Sequence, residues 1–360
     1  MAEPLKNYFN ETFVSKLAEE VKSVYKAFDI SGYKKAILND DWEARELKDR
    51  MRHISTCLGD FLPEYTKAVQ LLMEVAHKFG DFTSMVFSEY VEVYGMDHPE
   101  LSLDAMELFT QHSSAEFAIR PFIIRYEKLA MERMLQWSKH ENNHVRRLSS
   151  EGCRPRLPWA MALPEFKKDP AQVLPILENL KDDDSEYVRK SVANNINDIT
   201  KDNPQVALEL AKRWYGSSEK TNWIIKHGLR TLLKKGNEEA LKIFGFKDEV
   251  NVEVSVIDLS ENRIAIGGEA QFAFSITNKD KDQSFLKVGY VVGYMKSGGK
   301  TSEKIFHISE KEFAPKQTVA FKKKLSFRDL TTRKHYPGDH YIYISVNGLH
   351  FEKTHFQLTN

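Results

Sequence analysis

The chain has 360 residues, room for two or three domains that each bury a core of their own. Lys+Arg and Asp+Glu both total 52, so the formal net charge is zero and bulk charge gives no support for nucleic-acid binding; such a function needs a segregated patch. Cys57 and Cys153 are far apart and lack metal-ligand spacing, which argues against a disulfide framework or zinc site, and with neither a signal peptide nor an apolar run of bilayer length a soluble, cytoplasmic chain is expected.

Up to about residue 247 the pattern is helical. Phe13, Leu17, Val21, Val24 and Tyr25 recur at helical spacing, as do Leu71, Leu72, Val75 and Ala76, while Gly80, Gly95, Pro99, Gly152, Pro170, Pro204, Gly216 and Gly236 fall between such runs. Charge alternates along the way. Residues 89–107 carry Glu89, Glu92, Asp97, Glu100, Asp104 and Glu107 without a Lys or Arg, whereas residues 120–156 are rich in Arg and Lys. Solvated helix faces are the plain account of such blocks, a binding patch the other. The string Asn-His-Val145-Arg-Arg-Leu-Ser aligns with Glu-Tyr-Val188-Arg-Lys-Ser-Val and more loosely with Asn-Trp-Ile224-Ile-Lys-His, at intervals of 43 and 36 residues. That period suits HEAT-like repeats, which stack helix pairs into a solenoid; an irregular helical bundle is the alternative.

After Gly245 the period becomes two. Val252-Glu-Val-Ser-Val-Ile alternates, as do residues 271–277 and His340-Tyr-Ile-Tyr-Ile-Ser-Val, with turn formers at Gly267-Gly268, Asn278-Lys-Asp-Lys-Asp, Ser297-Gly-Gly and Asn347-Gly348. Short strands at this spacing predict an immunoglobulin-like β-sandwich, with a type I′ hairpin at Asn347-Gly348 and a tyrosine corner near Tyr336. The expected domains are therefore 1–247, an all-α HEAT-like repeat solenoid, and 248–360, an all-β immunoglobulin-like sandwich.

Candidate chemistry centres on residues 143–159. Asn143 suits a helix N-cap, and Gly152 with Pro155 a helix stop. Glu151 then sits in the last turn, where the helix dipole opposes a negative charge. Arg154 and Arg156 lie on a loop braced by two prolines, able to present guanidinium groups to phosphates with little loss of entropy. Trp159, after Pro158, suits the first turn of the next helix. Glu116 stands near a helix start followed by Arg120 and Pro121. Downstream, Val188, Val192, Ile196 and Ile199 form an apolar stripe, flanked by a polar line of Ser191, Asn194 and Asp198 on the rim of a groove. Each carboxylate alone reads equally as a surface charge or cap, Trp159 as a core aromatic, and Arg146 and Arg147 as charges between repeats.

Ser150-Glu-Gly-Cys-Arg-Pro-Arg-Leu-Pro-Trp-Ala160, with Val188-Arg-Lys-Ser-Val-Ala-Asn-Asn-Ile-Asn-Asp198 downstream, resembles the AlkC family of bacterial DNA alkylation-repair glycosylases. The resemblance covers the helical region, and some members carry a C-terminal immunoglobulin-like domain. It implies a monofunctional N-glycosylase of base excision repair. Such an enzyme removes cationic alkylated bases, chiefly 3-methyladenine and in some members 3-methylcytosine, from double-stranded DNA. The related AlkD family shares the solenoid and excises without flipping the base, and the same is expected here. Position by position, Glu116, Glu151 and Asp198 resemble the carboxylates lining the lesion, and Trp159 the aromatic beside the damaged nucleotide. Arg154 and Arg156, with the neighbouring Arg120, Arg147 and Arg189, are the expected DNA-contacting residues. The resemblance further implies no metal, no cofactor and no membrane, and a monomer that associates with the nucleoid when bound to DNA. A noncatalytic HEAT scaffold binding a protein partner is the reading from another class.

Overall fold

Helix starts in the N-terminal part are fixed by side-chain caps. Asn10 accepts a hydrogen bond from the Phe13 amide (3.0 Å), Asp29 from Gly32 (3.1 Å) and Asn142 from His144 (2.8 Å), so each satisfies a donor the helix leaves free. Behind each cap runs an apolar stripe: Phe13, Val14, Leu17, Ala18 and Val21 on helix Glu11–Val24 are all buried. The structure, a computed structural model, describes residues 3–247, 249–329 and 334–360. Its contacts divide the chain into one unit of Met1–Ala207 with Trp214–Gly228 and a second of Leu208–Arg213 with Leu229–Asn360.

In the first unit, helices Asn143–Glu151, Glu186–Asp202 and Glu219–Gly228 pack side by side in chain order, which is the repeat seen in the sequence. Val145, Val188 and Ile224 are each fully buried. The arginine after the valine has a repeated task. Arg146 Nη1 donates to the carbonyls of His140 (2.9 Å) and Glu141 (2.7 Å), and Arg189 Nη1 to those of Asp183 (2.8 Å) and Asp184 (2.7 Å). Each guanidinium thus ties down the loop six and five residues upstream. Arg146 also grips the Asp183 carboxylate of the next repeat with Nε at 2.6 Å.

The acidic block 89–107 is no patch. Arg52 takes Glu89 and Glu92 at 2.5 Å each, Arg125 takes Asp97 at 3.0 Å, and Arg133 pairs with Asp104 and Glu107. Five of the six acids of this block thus pair with arginines of neighbouring helices. No described helix is long and apolar enough to cross a membrane.

The second unit carries helices Arg230–Lys234 and Glu238–Ile243, then β1 (Val252–Val254), β2 (Asp258–Leu259), β3 (Arg263–Ala265), β4 (Glu269–Asn278), β5 (Ser284–Met295), β6 (Thr301–Phe313), β7 (Thr318–Ser326), β8 (Gly338–Val346), β9 (Leu349–His350) and β10 (Thr354–Thr359). One sheet is built on β4, which pairs with β1, β2 and β7; the other runs β3-β10-β8-β5-β6, with β9 on β8. Only the β3–β10 pair is parallel among the described strands. Alternate residues of β4 point inward, so Phe272, Phe274 and Ile276 meet Val288, Val292, Ile342 and Ile344 of the facing sheet in one core. This is the all-β, immunoglobulin-like half.

The hairpin expected at Asn347-Gly348 forms with φ of 46° and 87°, the doubly positive pair of a type I′ turn. Gly348 has a second reason to be glycine: a Cβ added there would lie 2.8 Å from the Gly236 carbonyl oxygen. A tyrosine corner does not form as expected. Tyr341 and Tyr343 of β8 donate to the Glu303 carboxylate at 2.8 and 3.2 Å, two strands away, rather than to an upstream backbone group.

Candidate active site

Helix Asn143–Glu151 delivers Glu151 in its last turn, but the cap is Asn142, one residue before the expected Asn143. Gly152 keeps right-handed helical angles (φ −62°) instead of a left-handed stop. It is glycine for space, since a Cβ there would stand 2.7 Å from Ile119 Cγ2. That close approach brings the start of helix Ile119–Arg125 against the end of helix Asn143–Glu151, and with it the Glu116 turn.

Glu116, Glu151 and Asp198 then meet through two guanidinium groups. Arg147 Nη1 pairs with Glu116 Oε2 and donates to Ser114 Oγ (2.8 Å), while its Nη2 lies 3.4 Å from Glu151 Oε1. Arg154 donates from Nη1 to the same Glu151 Oε1 (2.7 Å) and from Nε to Asp198 Oδ2 (2.8 Å). Lys201 closes the row on Asp198 Oδ1 at 2.8 Å. Acid and base alternate along this row, each carboxylate reached from a different element. Burial alone disfavours the charges of Arg147 and Arg154, but Glu151 with Glu116 in the first case, and Glu151 with Asp198 in the second, raise both pKa values above the ordinary guanidinium range. Arg147 also lies over the Tyr187 ring at 4.9 Å.

The oxygens are unevenly occupied. Both of Asp198, a residue 1% exposed, hold a cation. Among the described residues, Glu116 Oε1 and Glu151 Oε2 accept no hydrogen bond, because each side chain is held by its other oxygen alone.

Trp159 stands on a turn, not on the first turn of a helix as expected; the next helix begins at Pro164. Its φ is +63°, a left-handed backbone that a bulky residue adopts only under constraint, and it is 68% exposed. Arg120 braces the loop on either side of it. That side chain is 0% exposed and donates to three loop carbonyls: Met161 (2.7 Å, from Nε), Gly152 (2.8 Å) and Arg154 (2.9 Å, both from Nη1). Desolvation lowers its pKa to about 10.

The arginines expected to contact DNA differ in their surroundings. Arg120 is buried as the clasp of the Trp159 loop. Arg147, half-buried, and Arg154, buried, lie between carboxylates, and the Arg189 Nη1 is spent on loop carbonyls. Arg156 remains at the surface, bidentate to Asp202 with both bonds at 2.6 Å. The polar line on helix Glu186–Asp202 also shifts. Its buried members are Ser191, Asn195 and Asp198, with Ser191 Oγ 2.7 Å from Ser150 Oγ and Asn195 donating to the Ser150 carbonyl (2.8 Å). They face the neighbouring helix, and Asn194 is only half-buried. Lys201, Ser114 and Tyr187 were missed as partners. Only Lys201, three residues after Asp198 on the same helix, leaves a spacing signal. No group of three or more His, Cys, Asp or Glu side chains suited to a metal occurs among the described residues.

The model of the family "DNA alkylation repair enzyme" matches residues 91–232, the stretch that carries all four candidate residues, and that of the YhaZ C-terminal Ig-like domain matches residues 253–360. The chain is 41% identical over 355 residues to the protein YhaZ of Bacillus subtilis (strain 168), covering 98% of this chain and 99% of that one. The alkylpurine DNA glycosylase AlkC of Pseudomonas fluorescens, solved bound to DNA containing an abasic site analog, is 36% identical and covers 99% of this chain and 100% of its own, at a TM-score of 0.94. The chain belongs to the AlkC/YhaZ family. Within the AlkC/YhaZ framework the site lies in the helical part, and the β-sandwich is the YhaZ-type Ig-like domain.

Proposed function

We propose that this protein is a DNA glycosylase that hydrolyses the N-glycosidic bond of cationic alkylated bases, 3-methyladenine and also 3-methylcytosine, in double-stranded DNA without flipping the base out. The observation that carries the reading is the convergence of Glu116, Glu151 and Asp198 on two guanidiniums, those of half-buried Arg147 and buried Arg154, within the segment matched by the DNA alkylation repair family.

N3 alkylation makes the base a cation, so it departs from C1′ as a neutral molecule and needs little help from an acid. The bond between C1′ and the base nitrogen breaks with its electron pair moving to the base, and the deoxyribose gains positive charge. Water adds at C1′ and gives up a proton. A carboxylate held in place stabilises that charge without reorganising and takes the proton, directly or through solvent. Glu116 and Glu151 each keep an oxygen for this work; Asp198, committed on both, anchors Arg154. The Trp159 indole favours the cation through its face, on the order of 0.5–2 kcal/mol. Arg156, at the surface, is the phosphate contact retained from the expected set. The helical catalytic domain is assigned to 1–247 and the Ig-like domain to 248–360, the whole acting as a monomer.

The test is release of 3-methyladenine and 3-methylcytosine from methylated duplex DNA, measured by chromatography. The triple substitution Glu116→Gln, Glu151→Gln, Asp198→Asn should abolish excision. Full activity in that variant sinks the site assignment.

A further inference from the structure

We propose that Lys48 is a positioning residue for this site, holding the left-handed backbone of Trp159 so that the indole stays aimed at the lesion. The inference rests on the glycosylase reading above. Lys48 lies on helix Leu47–Phe61, 111 residues from Trp159, and its Nζ donates to the Trp159 carbonyl at 2.9 Å. The same Nζ sits 4.6 Å from the centre of the Phe117 ring, next in sequence to Glu116. One ammonium therefore ties the residue that carries the indole to the turn that carries a site carboxylate. Arg120 binds the carbonyls of Gly152, Arg154 and Met161 on either side of Trp159, but not that of Trp159 itself. Among the described residues no aromatic or cation–π contact to the indole occurs and Trp159 is 68% exposed, so its direction depends on its left-handed backbone. A left-handed tryptophan reverts to the broader right-handed or extended regions when its carbonyl is released. Lys48 removes that freedom. It touches no reacting atom in this scheme and acts through Trp159.

Single-turnover excision of 3-methyladenine by the full chain tests this with Lys48→Met, Lys48→Arg, Trp159→Ala and the double variant. Lys48→Met should slow the chemical step about tenfold, as loss of one charge-assisted bond that orients the indole. DNA affinity and its salt dependence should stay as in the wild type. Lys48→Arg should restore most of the rate, because a guanidinium reaches the same carbonyl and ring. In the Trp159→Ala background Lys48→Met should cost nothing further. Equal losses in both backgrounds overturn the proposal, as does an unchanged rate in Lys48→Met. So does weaker binding with a salt slope reduced by about one, which makes Lys48 a phosphate contact instead. A wild-type chain that releases no alkylated base overturns the glycosylase reading itself, and this inference with it.

Discussion

Arg154 separates two accounts of the site, because its sequence context suggests a phosphate contact and its surroundings a buried strut. Arg154→Met keeps much of the apolar stem and deletes every donor. Glu151 and Asp198, both buried, then lose the cation that joins them. Removing one partner of a buried ion pair costs about 3–5 kcal/mol. Two contacts soften the loss here: Lys201, with 40% of its side chain exposed, stays on Asp198, and Arg147 remains 3.4 Å from Glu151. About half the full penalty, roughly 2 kcal/mol, is the expected net destabilisation. For a unit of this size that lowers Tm by about 4–8 °C. Thermal unfolding followed by the helical circular dichroism signal reads it directly. A parallel salt titration of DNA binding should give the wild-type slope, since no phosphate contact is lost. An unchanged Tm together with a salt slope smaller by about one would refute the strut and restore Arg154 to the phosphate backbone.

Arg156→Gln should behave in the opposite way. Its pair with Asp202 is half-exposed, so stability changes by less than about 1 kcal/mol, while the salt slope falls by about one; an unaltered slope counts against Arg156 as a DNA contact. Glu89 supplies a pH effect away from the site. Burial, with the nearby Glu92, raises its pKa from 4.5 to about 7 despite Arg52. The folded state therefore holds more protons than the unfolded chain between those values, and stability declines as pH rises from about 4.5 to 7. Glu89→Gln should flatten that decline in denaturant titrations at pH 5 and pH 8, where the wild type differs by up to about 3 kcal/mol. A wild type equally stable at both pH values contradicts it.

The parts legible in sequence were those governed by period and by local chemistry. A period of two against one of 3.6 separates the sandwich from the helices, and Asn347-Gly348 specifies its turn by the positive φ both residues accept. The V-R element showed the repeat because Arg146 and Arg189 perform one task at one spacing. The three carboxylates were legible only through the resemblance, since each alone is an ordinary surface acid. Long-range pairing was not legible at all. Whether an arginine meets phosphate or a buried carboxylate depends on which helix packs beside it. Glu116 reaches Arg147 across 31 residues and Arg154 reaches Asp198 across 44, with no periodic mark on either. For the same reason the run of acids at 89–107 stood open between solvated faces and a patch, and five of its six members pair with arginines.

The row Glu116–Arg147–Glu151–Arg154–Asp198 also bears on why a cationic base would be chosen over a neutral one. Three carboxylates face two guanidiniums and the Lys201 ammonium, so the row balances in charge, but its carboxylate oxygens are unevenly satisfied. Both oxygens of Asp198 are engaged. Among the described residues, Glu116 Oε1 and Glu151 Oε2 hold no protein hydrogen, and Glu151 sits where the helix dipole adds to the cost of its charge. A neutral purine brings no charge to offset that cost and would leave both oxygens partly desolvated. An N3-alkylated base and the oxocarbenium-like sugar behind it bring the compensating charge, and bring more of it as the glycosidic bond lengthens. On the proposed reading, selectivity for the lesion and acceleration of its removal then have a common origin: a site whose unsatisfied carboxylate oxygens are met best at the transition state.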